Sequence, residues 1–421
     1  MTRMITRRDW LNRGLGIVGA GAALPSFLVR SALAGPQAEQ GQKVVVSILL
    51  TGGPDGLSLA PPIGHKEYYE HRKTLAYKEN VALRLNDEIG LHPKLTGFKQ
   101  MADEGAMALV LGTGYPNFNL SHFTSRDIWE AADTKNRTGK KGATGWLGRY
   151  LDQACAEDKG KIMNVAVGPG RFPLVVTSKA FEGIGFESPE SFRFDGLLSR
   201  RGRAKYLKMN QGVEIKQDAP TAEDLQFITR TAVSANQASE TVRLAVGEYQ
   251  TPVEYPQTRF GSSVRAIAGL INSGLPSRVY YAAQGIAKFG GYDTHAEQIR
   301  RLDMLLDELS QTLHAFYKDL KRSGNDERVL TFTFSEFGRR VGENYSGGTD
   351  HGLAQPMFLL GPGVKGGVHG KQSSLTELDN RGNLKMEVDF RGVYRAILEK
   401  WLGVPAQPIL GAEYPMIDCI A

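Results

Sequence analysis

Short apolar runs, often β-branched and bounded by glycine-rich turns, recur along the chain. Runs of this kind are typical of buried strands. The clearest are KVVVSILL at 43–50, AMALVLGTG at 106–114, NVAVG at 164–168, SRVYYAAQG at 277–285, RVLTFTFSEFG at 328–338 and QPMFLLGPGVKGG at 355–367. We therefore predict that these runs supply the strands of a central sheet.

Stretches whose apolar residues recur at helical spacing lie between these runs. The clearest are HPKLTGFKQMADEG at 92–105, SRDIWEAAD at 125–133 and a long periodic stretch at 295–324. Strands that alternate with helices indicate an α/β fold, with a mainly parallel central sheet flanked by helices on both faces. Ligands of such sheets bind beyond the carboxyl ends of the strands, so functional side chains are expected there.

One segment departs from this alternation. Residues 187–260 are polar and rich in Arg, Gln, Ser and Thr, and they include SRRGRAKYLK. We interpret 187–260 as a helical insertion in a single domain that spans 35–421.

The first 34 residues have the pattern of an export signal. Arg7 and Arg8 precede an apolar glycine-rich run, and an Ala-Leu-Ala sequence ends at Ala34. This pattern predicts a twin-arginine signal cleaved after Ala34, and hence a periplasmic or secreted protein whose partner is the twin-arginine export machinery. A retained membrane anchor is the alternative. The apolar run is short for a membrane span and Pro25 interrupts it, so we expect no stable span after cleavage.

The signal also distorts the charge of the chain. The 421 residues contain 51 basic and 45 acidic side chains, a net charge of +6. Removing 1–34, with its five arginines and Asp9, leaves 46 basic and 44 acidic residues, a net charge of +2. This balance gives no case for nucleic-acid binding. An oxidising compartment would permit a bridge between Cys155 and Cys419, but two unpaired thiols fit as well.

Polar side chains with metal-binding or nucleophilic chemistry follow several of the predicted strands. Half of the eight histidines lie in or beside these motifs. The residues are Asp55, Ser121, His122, Asp293, His295, Glu336, Asp350, His351 and His369. Carboxylates and imidazoles that converge from separate strand ends suit a divalent metal ion, such as zinc, calcium, magnesium or manganese.

Each of these residues also has an ordinary structural interpretation. Asp55 in Pro-Asp-Gly fits a turn, and Ser121 fits a helix cap. Asp293 precedes the long predicted helix, where an acid suits the helix dipole. Glu336 could simply form a surface ion pair with Arg339 or Arg340. The order of the motifs along the chain is therefore more informative than any single residue.

In that order the chain resembles the alkaline-phosphatase-like superfamily of phosphatases, sulfatases and phosphomutases. It is most similar to the exported domain-of-unknown-function family 1501. The likeness covers nearly the whole chain. It rests on the twin-arginine leader, GGPDGLS, SHF, GGYDTH, SEFGRR, GGTDHG and GGVHG.

Two registers of this resemblance are open. TDHG could match the superfamily's Asp-His-Gly motif, which would make His369 the last histidine. Alternatively, Glu336 after the buried strand VLTFTF takes the place of that motif's acid, and His351 is the last histidine. We favour the second register, because the motif ends a buried strand. Phe337 then stands where a metal-binding histidine is usual, so one of two metal positions would be altered or absent.

The resemblance implies a set of metal ligands and a nucleophile. Asp55 and Glu336 would hold one metal beside the nucleophile Ser121. Asp293, His295 and His351 would hold a second metal. Asp350 would orient His351 or bind metal itself.

The resemblance also implies how an anionic ester substrate would be held. Arg126 or Arg339 would clamp its remaining oxygens.

These features favour a metal-dependent hydrolase or transferase of phosphate or sulfate esters. A non-catalytic exported binding or assembly protein that keeps the fold is the alternative. A Rossmann oxidoreductase is disfavoured, because the spaced glycines of GLGIVGAG lie within the export signal and follow no strand.

Overall fold

The computed structural model describes residues 42–135, 142–158, 161–168, 170–188, 241–285 and 291–421. The predicted signal at 1–34 lies outside the described residues, and so does most of the predicted insertion at 187–260. A search of the described helices found none with the length and hydropathy needed to cross a bilayer.

Six strands of the described ranges lie within the predicted apolar runs, and five short strands were not predicted. In chain order, the strands are β1 (Val44–Leu50), β2 (Leu83–Arg84), β3 (Gly90–Leu91), β4 (Met107–Gly114), β5 (Asn164–Val167), β6 (Ile184–Phe186), β7 (Val279–Gln284), β8 (Val329–Phe334), β9 (Gln355–Leu360), β10 (Gly367–Gly370) and β11 (Val388–Asp389). The short pair β2 and β3 forms a separate antiparallel hairpin. All other strands join one sheet.

That sheet has the order β10-β4-β9-β8-β1-β7-β5-β6, with β11 beside the end of β4. β1 lies between β7 and β8 and is parallel to both. β9 is antiparallel to β8 and β4. The prediction of a mainly parallel central sheet is therefore confirmed. Every residue of β1 is buried, as expected of a strand covered on both faces.

The helices cover both faces of the sheet. They are α1 (Gly56–Leu59), α2 (Lys66–His71), α3 (Thr96–Asp103), α4 (His122–Ala131), α5 (Trp146–Ala154), α6 (Arg259–Asn272), α7 (Gln298–Arg322), α8 (Phe390–Ala396) and α9 (Gln407–Leu410). Alternate residues of β1 belong to two separate cores. Val44, Val46 and Ile48 pack with residues of α3, α6 and α7. Val45 and Leu49 pack with residues of α4, α5 and α8.

The antiparallel direction of β9 determines what meets at one edge of the sheet. The carboxyl ends of β1, β4, β7 and β8 lie at that edge, and the amino end of β9 lies there too. The loop 335–354 therefore leaves the edge after β8 and returns to it before β9. A backbone bridge between Arg339 and His351 holds the loop against itself.

The two cysteines do not form a bridge. Cys155 and Cys419 are both free and buried.

Candidate metal centre

Three imidazoles surround one carboxylate at this edge. His122 is the first residue of α4, Asp293 and His295 follow β7, and His351 precedes β9. The Nε2 atoms of His295 and His351 each lie 3.1 Å from Asp293 Oδ1. His122 Nε2 lies 3.5 Å from Asp293 Oδ2. We call these four residues the Asp293 cluster.

The opposite nitrogen of each ring contacts an oxygen outside the cluster. These contacts are His122 Nδ1 with Glu336 Oε1 at 2.8 Å, His295 Nδ1 with Asp350 Oδ1 at 3.2 Å, and His351 Nδ1 with the Leu120 carbonyl at 3.1 Å. Because a carboxylate or carbonyl oxygen only accepts hydrogen bonds, each Nδ1 carries the proton. A ring that also donates to Asp293 carries a second proton on Nε2, and loss of that proton would leave an Nε2 lone pair directed at the carboxylate.

This arrangement fits a metal ion. The Nε2 atoms of His295 and His351 are 3.1 Å apart, so two lone pairs and a carboxylate oxygen would face one another when each ring carries its proton on Nδ1 alone. Ligand atoms of His122, Asp293 and His351 lie within 4.8 Å of one another. Histidine ligands of metals usually donate the other ring N–H to an outer acceptor, as all three do here. An imidazole-rich set suits zinc or another transition metal better than calcium or magnesium.

The charges of the cluster are coupled. Burial acts to raise the pKa of Asp293, but hydrogen bonds from His122, His351 and Arg339 lower it far below its usual range. Hydrogen bonds to Asp293 and Glu336 raise the pKa of His122 to about 9. The metal-free cluster therefore holds a proton that a bound cation would displace.

Arg339 positions Asp293 and does not face solvent. Its side chain is 0% exposed, and Nη2 donates to Asp293 Oδ1 at 2.6 Å. Nε donates to the Gly53 carbonyl at 2.6 Å and Nη1 to the Thr349 carbonyl at 2.9 Å. This guanidinium is committed to protein oxygens, which leaves it unavailable for the predicted substrate clamp.

Glu336 and Asp350 lie outside the three imidazoles. Glu336 is buried, and its Oε1 also accepts from the Gly52 N–H at 2.8 Å. Asp350 Oδ1 also lies 3.3 Å from Asn344 Nδ2. Glu336 therefore contacts His122, and Asp350 contacts His295. The sequence had instead suggested that both acids bind metal directly, or that Asp350 orients His351.

Asp55 is not among the residues that converge on Asp293. It is fully buried and forms a two-pronged ion pair with Arg72, with distances of 2.6 Å and 2.9 Å. Ser58 Oγ and Gln298 Nε2 also donate to Asp55 Oδ2, each at 2.6 Å. Its carboxylate is therefore satisfied by protein donors.

Ser121 is exposed at the N-cap of α4, next to His122. Its hydroxyl forms no capping bond to the described helix, while its N–H donates to Asn119 Oδ1 at 2.7 Å. Ser121 is thus an exposed residue that directly precedes His122 of the cluster.

Arg126 follows His122 by one helical turn and lies on the same face of α4. Its Nε contacts Glu130 Oε1 at 2.7 Å, and its side chain is 31% exposed. Arg126 is therefore fixed by Glu130 yet partly open to solvent.

The sequence interpretation left His122 out of the ligand set. Its position next to Ser121, after a predicted strand, was the only indication that His122 could belong to the site. The sequence alone does not show which way the ring of a histidine at a helix start points. His369, the last histidine of the other register, lies in β10 beside Val110, in the middle of β4. Its Nε2 contacts the Lys365 carbonyl at 2.6 Å.

Comparisons with known proteins give one family match and several distant structural likenesses. A search of curated proteins found no match. The chain is similar to a sulfatase from Pseudoalteromonas sp., with 14% identity, a TM-score of 0.37, and coverage of 94% of this chain and 74% of that one. It is also similar to a protein of the alkaline phosphatase superfamily from Vibrio parahaemolyticus, with 12% identity, a TM-score of 0.37, and coverage of 97% and 78%. It is similar as well to alkaline phosphatase from the Antarctic bacterium TAB5, with 12% identity, a TM-score of 0.32, and coverage of 76% of this chain and 92% of that one.

The family described as "Protein of unknown function (DUF1501)" matches residues 42–387, which is most of the chain and includes every residue of the Asp293 cluster. The chain belongs to this family.

Proposed function

We propose that this protein is a divalent-metal-dependent hydrolase or transferase of phosphate or sulfate esters, with Ser121 as the nucleophile. One observation carries the proposal. Three imidazole Nε2 atoms face the Asp293 carboxylate while each Nδ1 is held by an outer oxygen. This orientation is costly for uncharged rings and suits a cation.

The residues at this edge of the sheet would have separate roles in metal binding and in nucleophilic attack. His122, Asp293, His295 and His351 would hold the ion, which would neutralise ester oxygens and lower the pKa of a hydroxyl or water. Ser121 Oγ would form the new bond to phosphorus or sulfur. The departing alcohol would leave with the hydroxyl proton, and water or an acceptor alcohol would then release the seryl ester.

Arg126 is the better placed of the two predicted anion clamps. Its side chain is 31% exposed on the face of α4 that carries His122, with Nη2 donating to the Tyr281 hydroxyl at 3.1 Å, whereas the side chain of Arg339 is 0% exposed. The amino end of α4 also favours an anionic group. These features support an anionic ester as substrate.

A non-catalytic metal-binding or assembly protein is the second candidate. The observation that favours it is the occupied carboxylate of Asp55, because the resemblance expects that residue to hold a metal beside the nucleophile. We also propose export by the twin-arginine route to the periplasm or beyond, on the strength of the leader sequence.

The test is metal analysis of the purified mature chain, followed by assays on chromogenic phosphate and sulfate monoesters and diesters. We expect bound transition metal, turnover, and loss of at least 100-fold in kcat for Ser121→Ala with unchanged metal content. Thr124→Ala, one turn further along α4, is the matched control and should retain turnover. Bound metal without turnover on any ester would support the non-catalytic candidate.

A further inference from the structure

We propose that this protein binds one divalent ion per chain, and that the guanidinium of Arg72 is the permanent cation at Asp55. The inference rests on the proposed function, because it takes the Asp293 cluster as the one metal site. It concerns Asp55, which the resemblance would make a ligand of another ion.

The first step is the saturation of Asp55. Oδ2 accepts from Arg72 Nη1, Ser58 Oγ and Gln298 Nε2, each at 2.6 Å. Oδ1 accepts from Arg72 Nη2 at 2.9 Å. Asp55 is 0% exposed, so a metal ion could reach it only by displacing these donors.

The second step is that Arg72 is held from behind. It is 1% exposed, its Nε donates to the Val341 carbonyl at 2.5 Å, and Nη2 also donates to the Arg340 carbonyl at 2.8 Å. All three guanidinium nitrogens therefore have partners. Removing Asp55 from this fork would leave a buried charge without its counter-ion, which is strongly unfavourable.

Gln298 is equally fixed. Its Oε1 accepts from Thr349 Oγ1 at 2.6 Å and from Thr294 Oγ1 at 3.0 Å. These two bonds fix the amide so that its Nε2 points at Asp55. The amide is thus oriented for a carboxylate that stays in place.

An independent observation comes from Phe337, which follows Glu336. Its ring is buried, with centroids 4.5 Å from the His351 ring and 4.8 Å from the His122 ring. A Cβ built on Gly53 would lie 2.6 Å from this ring, so the backbone of β1's outgoing loop packs directly on it. An aromatic hydrocarbon that cannot bind a cation through a lone pair thus fills space beside the imidazoles.

The two acidic positions would therefore differ in the cation that they hold. The Asp293 cluster would hold a metal ion that can be removed, and Asp55 holds the guanidinium of Arg72, which cannot. A chelator can withdraw an ion from the partly exposed Asp293 cluster, but it cannot remove a covalently attached guanidinium. The end of β1 and the start of α7 therefore remain joined through Asp55 in the metal-free protein.

The experiment counts metal in the full mature chain. Protein loaded with Zn²⁺ or Mn²⁺ and passed through gel filtration is analysed by inductively coupled plasma mass spectrometry. We expect one ion in the wild type, one in Asp55→Asn, one in Ser58→Ala and none in His351→Ala.

Two ions in the wild type that fall to one in Asp55→Asn would overturn the inference and leave the proposed function standing. No ion in the wild type would overturn the proposed metal site itself. If Asp55→Asn fails to fold, the metal counts of the wild type and of His351→Ala still test the inference. Two ions in the wild type and one in His351→Ala would overturn it.

Discussion

At the residue scale, the candidate centre depends on which nitrogen of each ring points inward. Glu336 decides this for His122, because its Oε1 accepts from Nδ1 and leaves Nε2 toward Asp293. Glu336 is itself held by the Gly52 N–H and the Ser335 hydroxyl. A residue that never touches the ion can therefore control its affinity.

We predict that Glu336→Gln lowers metal affinity by about 10-fold to 100-fold without unfolding the protein. The amide oxygen can still accept from His122, and the amide nitrogen can donate to Ser335. However, the full negative charge behind the ring is lost. Isothermal titration calorimetry with Zn²⁺ measures the change. The control is Ser335→Ala, which removes a hydroxyl that contacts Oε2 and the Leu50 carbonyl but leaves the charge of Glu336 in place. Equal affinity in Glu336→Gln and the wild type would contradict a role for Glu336 behind His122.

Arg339 acts on the central carboxylate from the other side. We predict that Arg339→Lys destabilises the protein by about 3 kcal/mol, because one ammonium cannot replace a fork that serves Asp293 and several carbonyls. Urea unfolding of the metal-free protein measures the loss. Arg340→Lys, at the neighbouring position, serves as the comparison. A change below about 0.5 kcal/mol in Arg339→Lys would show that the fork is dispensable.

At the element scale, the loop 335–354 brings distant parts of the sequence to one edge. It folds back on itself through the Gly338 N–H to the Leu353 carbonyl at 3.1 Å and the Gly352 N–H to the Gly338 carbonyl at 2.9 Å. A Cβ built on Gly352 would lie 2.3 Å from the Arg339 carbonyl carbon. This close approach sets the position of the neighbouring His351.

We predict that Gly352→Ala displaces this turn, lowers stability by about 2 kcal/mol and weakens Zn²⁺ binding at least 10-fold. The matched control is Gly342→Ala in the same loop, since a Cβ there would meet no described atom within 4 Å. Thermal unfolding and zinc titration of both variants provide the comparison. Similar behaviour of the two variants would mean that the close packing at Gly352 does not matter.

At the scale of the whole molecule, the sequence predicted the sheet better than the site. The apolar runs at 43–50 and 328–338 contain β1 and β8, because strands buried on both faces carry continuous apolar sequence. Periodicity does not reveal that β9 runs antiparallel, since direction depends on the path of the connecting loop.

Only those residues of the candidate site that lie in recognisable sequence motifs could be predicted. Asp293, His295 and His351 lie in motifs at strand ends and do meet. Arg72 lies in no such motif, immediately after α2, so nothing in the sequence pairs it with Asp55. Long-range ion pairs of this kind depend on tertiary packing, which single-sequence patterns do not encode.

The Asp55–Arg72 pair should also be visible in the stability of the whole molecule. Burial acts to raise the pKa of Asp55, but the charge of Arg72 and hydrogen bonds from Arg72, Ser58 and Gln298 lower it below 3.8. Unfolded Asp55 should titrate near a pKa of about 3.9. The pair therefore contributes stability that is fully present above about pH 4 and is lost as the pH falls through the lower folded-state pKa.

We predict that Asp55→Asn costs about 3 kcal/mol of unfolding free energy at pH 7, because it leaves the buried charge of Arg72 without its counter-ion. The difference between wild type and variant should be constant from pH 8 to pH 5 and should shrink below about pH 4, where Asp55 of the unfolded wild type binds a proton while the folded wild type stays ionised. Urea unfolding of the metal-free proteins across this range measures the difference. The exposed Asp103→Asn should change stability by less than about 0.5 kcal/mol at pH 7. A difference for Asp55→Asn that grew on acidification would mean that the folded protein holds Asp55 protonated, and that Arg72 is not its cation.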